Sequence, residues 1–267
     1  MSAIKRIAII ILCILIAFPL LYAFSMSFFS PSDFTDSYAH FLPGKLGFSN
    51  YRKAFSTRLF GRYILNSALT AVLSMALRVA VSVSASFAFS HLAFRGRKAL
   101  LIILLSTLFI PQDANLYQNY TTIARLSLLD TYLGIILPGI FSASAMLLMV
   151  SSCAMLDKDI YAAAQIDGSG DIRYIASILV HMIKPTLITV ALQAFIGSFN
   201  SYLWPLLVTN KPRMRTIQIA LTMLGFAEEG AYGAQFASIM VITLPFVALI
   251  AAGRKQIMKS LSETRMH

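Results

Sequence analysis

Six stretches of this chain are apolar almost without interruption, at about Ile7–Phe28, Ile64–Phe89, Ala99–Leu116, Leu133–Leu156, Pro185–Val208 and Phe236–Ala252. An α-helix needs roughly 20 mostly apolar residues to cross the hydrocarbon of a bilayer. The alternation therefore predicts an all-α, polytopic membrane protein with six transmembrane helices. The third run is the most interrupted, with Pro111 inside its far end and Gln112, Asp113 and Asn115 close by. The first follows Lys5 and Arg6, as a signal peptide would. Its apolar core is longer than a signal core of about 7–15 residues, so an uncleaved anchor is expected.

Composition narrows the class. Of 267 residues, 58% are hydrophobic and 12% charged, and the mean hydropathy is +0.74. A soluble domain carries about twice that charged fraction. Disordered tails, collagen-like repeats and nucleic-acid-binding domains are excluded with it. The net charge of +11 reflects loop cations that orient membrane helices. Six spans place both termini on one side. If that side is the cytoplasm, it holds 12 of the 22 Lys and Arg against nine outside, with Arg78 inside a span. The Arg95-Gly96-Arg97-Lys98 turn and Arg254-Lys255 abut span ends, where cations fix orientation most strongly. The expected location is a bacterial inner membrane with both termini cytoplasmic. Cys13 and Cys153 lie in apolar runs and read as small buried hydrophobes.

No catalytic chemistry is legible. There is no G-x-x-x-x-G-K-[ST] phosphate loop and no H-E-x-x-H, and His40, His91, His181 and His267 are dispersed without metal spacing. No catalytic residue and no metal ligand is assigned. Any energy source must come from a partner or an ion gradient. Ion-coupled transporters usually bury ionisable groups along their pathway. Here the only charge deep in a span is Arg78, which weighs against ion coupling. An ion-coupled transporter or channel subunit stays open as the alternative, and a membrane enzyme or structural subunit as a third.

The stretch 157–184 between runs four and five mixes polar and apolar residues throughout. Asp157–Ile166 reads as a short helix with Asp157 and Asp159 at its start, favouring the helix dipole. Asp167-Gly168-Ser169-Gly170 is a turn signal, and Asp171 is expected to cap a second helix, Ile172–Val180. Read from the residues alone, this is either a loop packed on its own bundle or a knob that another surface approaches closely over its alanines.

This stretch resembles the EAA loop of the permease subunits of ABC importers. That pattern runs Glu-Ala-Ala, three residues, Gly, nine residues, then Ile-x-Leu-Pro. Ala163, Ala164, Gly168 and Ile178 match it, Ile166-Asp167-Gly168 matches the sugar-importer variant, and Lys184-Pro185 matches the opening of the next span. The family glutamate falls on Ala162 and the family proline on His181, with Val180 for leucine. The likeness extends through Phe48-Ser49-Asn50-Tyr51, Asn66-Ser67, Leu126–Leu137, Phe199–Leu206, Thr216–Leu224 and Leu244-Pro245. The order and spacing are similar to the smaller permease of maltose-type carbohydrate importers, although Ser260–His267 does not match that family's Gly-rich tail.

The resemblance implies a type I importer transmembrane domain. Residues 1–62 would form a first span and external segment, 63–253 the core, and 254–267 a cytoplasmic tail. It implies a second permease subunit (a heterodimer), two ATPase subunits that bind ATP and Mg while this chain binds no cofactor, and an extracytoplasmic solute-binding protein. The expected activity is import of a sugar, oligosaccharide or sugar or glycerol phosphate by alternating access. Ala162, Ala163, Ala164, Ile166, Asp167, Gly168 and Ile178 would couple to an ATPase. Polar or aromatic residues in apolar runs, Arg78, Gln193, Asn200, Tyr202 and Trp204, are candidates for the substrate pathway. Helix–helix hydrogen bonding or an interfacial aromatic belt explains each of these singly as well. Arg78 differs in cost, since a mid-span arginine must face the bundle interior, a polar partner or water.

Overall fold

A computed structural model describes residues 3–35, 41–56, 59–227 and 232–244. Among these residues all regular structure is helical. Two helices are long and apolar enough to cross a membrane alone: α1 (Ala3–Met26) and α4 (Phe60–His91). Short helices α2 (Pro31–Thr35) and α3 (Ser49–Ser56) lie between them. Two bent helix pairs reach that length and apolarity only when their halves are taken together. Tyr132–Gly139 and Ala143–Ala154 meet at 53°, and Asp171–Met182 and Lys184–Phe199 meet at 90°.

Three of the expected spans are thus not single helices, for legible reasons. In the third run, α5 (Arg97–Ser106) gives way to a 3-10 turn, and Ile110 is extended before Pro111. The residue preceding a proline is forced out of the helical region. Helix resumes at α6 (Leu116–Arg125). In the fourth run, α7 (Tyr132–Ile136) ends in a 3-10 turn containing Pro138, and Ser142 caps α8 (Ala143–Ala154) by accepting from the Ala145 N–H. After α9 (Lys158–Ile166) comes α10 (Asp171–Tyr174), whose cap is Gly170 rather than Asp171. A π-turn at Ile175–Leu179 then leads into α11 (Val180–Met182). The fifth run holds α12 (Lys184–Phe199) and α13 (Leu203–Val208), separated at 200–202. Next come α14 (Ile217–Ala227) and α15 (Tyr232–Leu244). The expected sixth span began at Phe236, and its residues 245–252 lie outside the described residues, as do Arg254 and Lys255.

The chain forms two compact units, residues 63–218 and residues 1–62 with 219–267. In the second of these, Asn50 Nδ2 donates to the Ser27 and Phe29 carbonyls at 2.9 and 2.7 Å, satisfying backbone groups just beyond the end of α1. Gly233 lies so close that a Cβ there would stand 2.4 Å from Asn50 Nδ2. Phe34 meets Tyr232 and Phe236. The apolar side chains of α1, such as Ile7, Ile11 and Leu15, are exposed, as lipid- or helix-facing groups in a membrane would be.

The unit 63–218 is organised by α4. Asn66, Thr70, Ser74, Arg78, Ser82 and Ser86 follow one another every four residues. Rows at this spacing form the ridges by which helices pack. Four residues turn a helix by about 400°, so the row winds, and Asn66, Ser74, Arg78 and Ser86 each meet a different neighbour. Asn66 Nδ2 donates to the Arg213 and Arg215 carbonyls, both at 2.9 Å, while its Oδ1 accepts from Tyr132 Oη at 2.8 Å. Ser198 Oγ of α12 donates to Ser74 Oγ at 3.2 Å. Arg78 donates to the Gly139 carbonyl through both Nε and Nη2. Cys153 Sγ of α8 donates to Ser86 Oγ at 3.4 Å. Below these contacts an apolar core gathers Phe87, Met149, Ala164, Tyr174, Leu179 and Val190.

Gly134 packs against backbone, since a Cβ there would stand 2.2 Å from the Leu128 carbonyl oxygen. Gly134→Ala is expected to destabilise the chain by about 2–4 kcal/mol through forced backbone movement. Gly61→Ala, where a Cβ meets nothing within 4 Å, should stay within about 1 kcal/mol of the parent. Thermal unfolding of the two variants in mild detergent checks the difference.

Candidate functional site: a helical hairpin and a polar helix face

The segment 157–182 folds as a tight helical hairpin. Asp157 caps α9, its Oδ1 accepting from the Asp159 N–H at 3.0 Å. Gly168 ends the helix at φ +76°, a conformation that favours glycine. The Ser169 N–H reaches the Ala164 carbonyl and the Gly168 N–H reaches that of Gln165, the paired bonds of a Schellman motif. Asp171, instead of capping, accepts from Tyr161 Oη at 2.6 Å, and Gln165 Nε2 donates to the same phenol at 2.9 Å. The turn is thus tied from one helix to the other. The bond to Asp171 holds the Tyr161 phenol above its usual pKa, which keeps it a donor.

The seven residues expected to couple divide into two sets. Ala162, Ala163, Ile166, Asp167 and Gly168 are exposed, with Ile166 at 87%. Ala164 is buried in the apolar core and Ile178 packs against it. The alanines therefore do two jobs: Ala164 lets the hairpin sit down on its bundle, while Ala162 and Ala163 leave its outer surface low. Ile172 on the hairpin, 84% exposed, and Met155 just before it, 85% exposed, are further exposed large apolar groups. Sequence reasoning missed both, as it missed what roots the hairpin. Tyr174 is fully buried and its Oη lies 3.2 Å from His91 Nε2 at the end of α4. Phe87, His91, Tyr161 and Tyr174 form an aromatic box, with Tyr161 and Tyr174 edge-on at 4.8 Å between centroids. Two tyrosines 13 residues apart in a half-polar segment were the available signal.

The candidate pathway residues also separate. Trp204 is half-buried, its Nε1 shared between the Gly134 and Ile135 carbonyls at 3.2 and 3.1 Å, so its polar end locks α13 onto α7. Tyr202 is exposed before α13. On α12, Val190, Ala194 and Ser198 face the bundle, whereas Gln193, Gly197 and Asn200 share an exposed face. Asn200 Oδ1 accepts from Gln218 Nε2 at 3.2 Å. A polar strip of this kind on an apolar helix is costly against lipid tails and suits a wet path or a protein partner. Arg78 is half-buried on α4. No group of His, Cys, Asp and Glu suited to a metal occurs among the described residues.

A helical bundle with broken apolar spans, carrying a surface hairpin between two of them, defines an α-helical membrane protein. Residues 92–256 match the family of binding-protein-dependent transport system inner membrane components, and the chain belongs to that family. It is 29% identical over 272 residues to the sn-glycerol-3-phosphate transport system permease protein UgpE of Rhizobium meliloti (strain 1021), covering 98% of this chain and 96% of the relative. It is 29% identical over 270 residues to the trehalose/maltose transport system permease protein MalG of Thermococcus litoralis, with coverage of 98% and 96%. The diacetylchitobiose uptake system permease protein NgcG of Streptomyces coelicolor is 27% identical, with coverage of 98% and 88%. A bacterial ABC transporter that imports the acidic polysaccharide alginate has a chain of the same fold, with TM-score 0.83 at 21% identity, covering 95% of this chain and 94% of that one. The fold is that of an ABC importer permease.

Tyr161→Phe removes two exposed hydrogen bonds from the hairpin and should loosen it by about 1 kcal/mol or less. Faster amide hydrogen exchange across residues 158–172, with α4 unchanged, is the expected outcome.

Proposed function

We propose that this chain is the permease subunit of an ATP-driven importer that moves a carbohydrate or carbohydrate derivative into the cytoplasm. The observation that carries the reading is the rigid hairpin with an exposed apolar crown of Ala162, Ala163, Ile166 and Ile172. Large apolar groups on a polar-flanked surface mark a protein contact. The partner gripping that crown is an ATPase subunit, two of which serve a pair of permeases, this chain and a second, different one. ATP and Mg bind there, and this chain hydrolyses nothing. The hairpin and both termini face the cytoplasm. A solute-binding protein delivers substrate at the opposite end. The neighbour of the same fold solved with an alginate pentasaccharide-bound periplasmic protein supports that arrangement by analogy; it has TM-score 0.58 at 17% identity.

Mechanically, closure of the ATPases moves the hairpin as one body, because the Schellman turn and the Tyr161–Asp171 bond lock its two helices together. The His91–Tyr174 contact and the box around it hand that movement to the end of α4. Such rigid displacement between two packed arrangements is how small shifts become global. Gln193, Gly197, Asn200 and Tyr202 are the groups of α12 and its end that meet passing substrate. The carbohydrate class follows from relatives whose names specify glycerol phosphate, trehalose or maltose, and diacetylchitobiose.

The test is purification of the complex in mild detergent, followed by ATP hydrolysis with and without the solute-binding protein. Ile166→Glu with Ile172→Glu is expected to abolish co-purification of the ATPase or cut stimulated hydrolysis at least tenfold. A complex that lacks an ATPase chain refutes the proposal.

A further inference from the structure

Arg78 lies 18 residues from Phe60 and 13 from His91 in a continuous helix, about 27 and 20 Å from its two ends. That depth puts the guanidinium inside the hydrocarbon layer. Its side-on fork, Nε and Nη2, is spent on one acceptor, the Gly139 carbonyl at the corner of the bent α7–α8 pair. A Cβ on Gly139 would stand 3.3 Å from Nη2, so the close approach uses the absence of a side chain. The arginine is thereby held in one orientation.

A carbonyl leaves the charge uncompensated. No ion pair to Arg78 exists among the described residues, and the end-on fork formed by Nη1 and the second Nη2 hydrogen makes no hydrogen bond to any of them. Nη1 is not sealed into the protein either, since it is not among the fully enclosed polar atoms without a partner. A fixed guanidinium whose end-on fork bonds none of the described residues matches a carboxylate or a phosphate, which it binds bidentately. The depth also fits a path. One turn from Arg78 along α4, Ser74 bonds Ser198 on the bundle-facing side of α12, a helix that carries Gln193 and Gly197 on its other, exposed face.

We propose that Arg78 is an oxyanion receptor in the translocation path, anchored on the Gly139 carbonyl and offering its free fork to a carboxylate or phosphate on the transported carbohydrate. This rests on the importer reading above and narrows its substrate to anionic carbohydrates. A neutral sugar would leave the guanidinium without a counter-charge at mid-membrane, a costly state.

The experiment uses the full complex in proteoliposomes with three labelled probes: a hexuronate disaccharide, a hexose phosphate and a neutral disaccharide. The parent is expected to take up at least one anionic probe in preference to the neutral one, and which of the two identifies carboxylate or phosphate. Arg78→Gln should lower that uptake tenfold or more relative to neutral uptake. Arg78→Lys, which keeps the charge but loses the fork, should assemble and raise the KM for the anionic probe several-fold with little change in kcat. Absence of anionic uptake, or Arg78 variants that depress anionic and neutral uptake equally, overturns the assignment; the latter result would place a partner-subunit carboxylate on the fork. ATP hydrolysis stimulated by the binding protein, measured on the same preparations, reports the importer reading separately.

Discussion

The unit 63–218 depends on one constraint: the polar row on α4 has to find partners where water is scarce. Asn66, Ser74, Arg78 and Ser86 each do so on a different element, namely the loop before α14, then α12, the α7–α8 corner and α8. Individually such bonds contribute little in a membrane, on average about 0.6 kcal/mol. Left unmade, each polar group would cost several times that. The row therefore acts less as glue than as a register mark. A neighbour that slips along α4 loses its bond and strands a polar group in hydrocarbon. The broken spans belong to the same logic, because an interrupted helix has backbone groups to satisfy. The Gly139 carbonyl finds Arg78, and the Gly134 and Ile135 carbonyls find Trp204.

The hairpin obeys a different rule. It stands outside the span region and is held by local geometry: a glycine in the left-handed region, two backbone bonds across the turn, and a phenol between two helices. Its root is aromatic, with the buried Tyr174 reaching His91. A part that transmits force needs stiffness within itself and a firm attachment at one end. The hairpin has both, and its exposed surface carries Ala162, Ala163, Ile166 and Ile172 among polar residues.

Much of this was legible in the chain because the signals were local. Hydrocarbon-length runs located α1 and α4, and Asp157, the alanines and Gly168 located α9 and its end. The family likeness rested on ordered short patches, and the family match agrees with it. What was not legible came from proline and from pairing across space. Pro111 and Pro138 stand where helices break inside apolar runs; the first was marked by its polar neighbours, whereas the run around the second reads as continuous. Asp171 looked like a cap, but a phenol ten residues earlier competes for its carboxylate. The role of Trp204 depends on carbonyls some 70 residues away. Arg78 was conspicuous by cost alone. Its acceptor, a glycine carbonyl 61 residues distant, carries no sequence signature.

The division of the alanines at the hairpin has an evolutionary consequence. Ala164 is bound to the interior, whereas the side chains of Ala162, Ala163, Ile166 and Ile172 are exposed. Their side chains can drift without disturbing the scaffold that bears them. With an ATPase on the hairpin as proposed, compatibility with one motor or another would be rewritten by a few surface replacements, while the membrane bundle stays as it is.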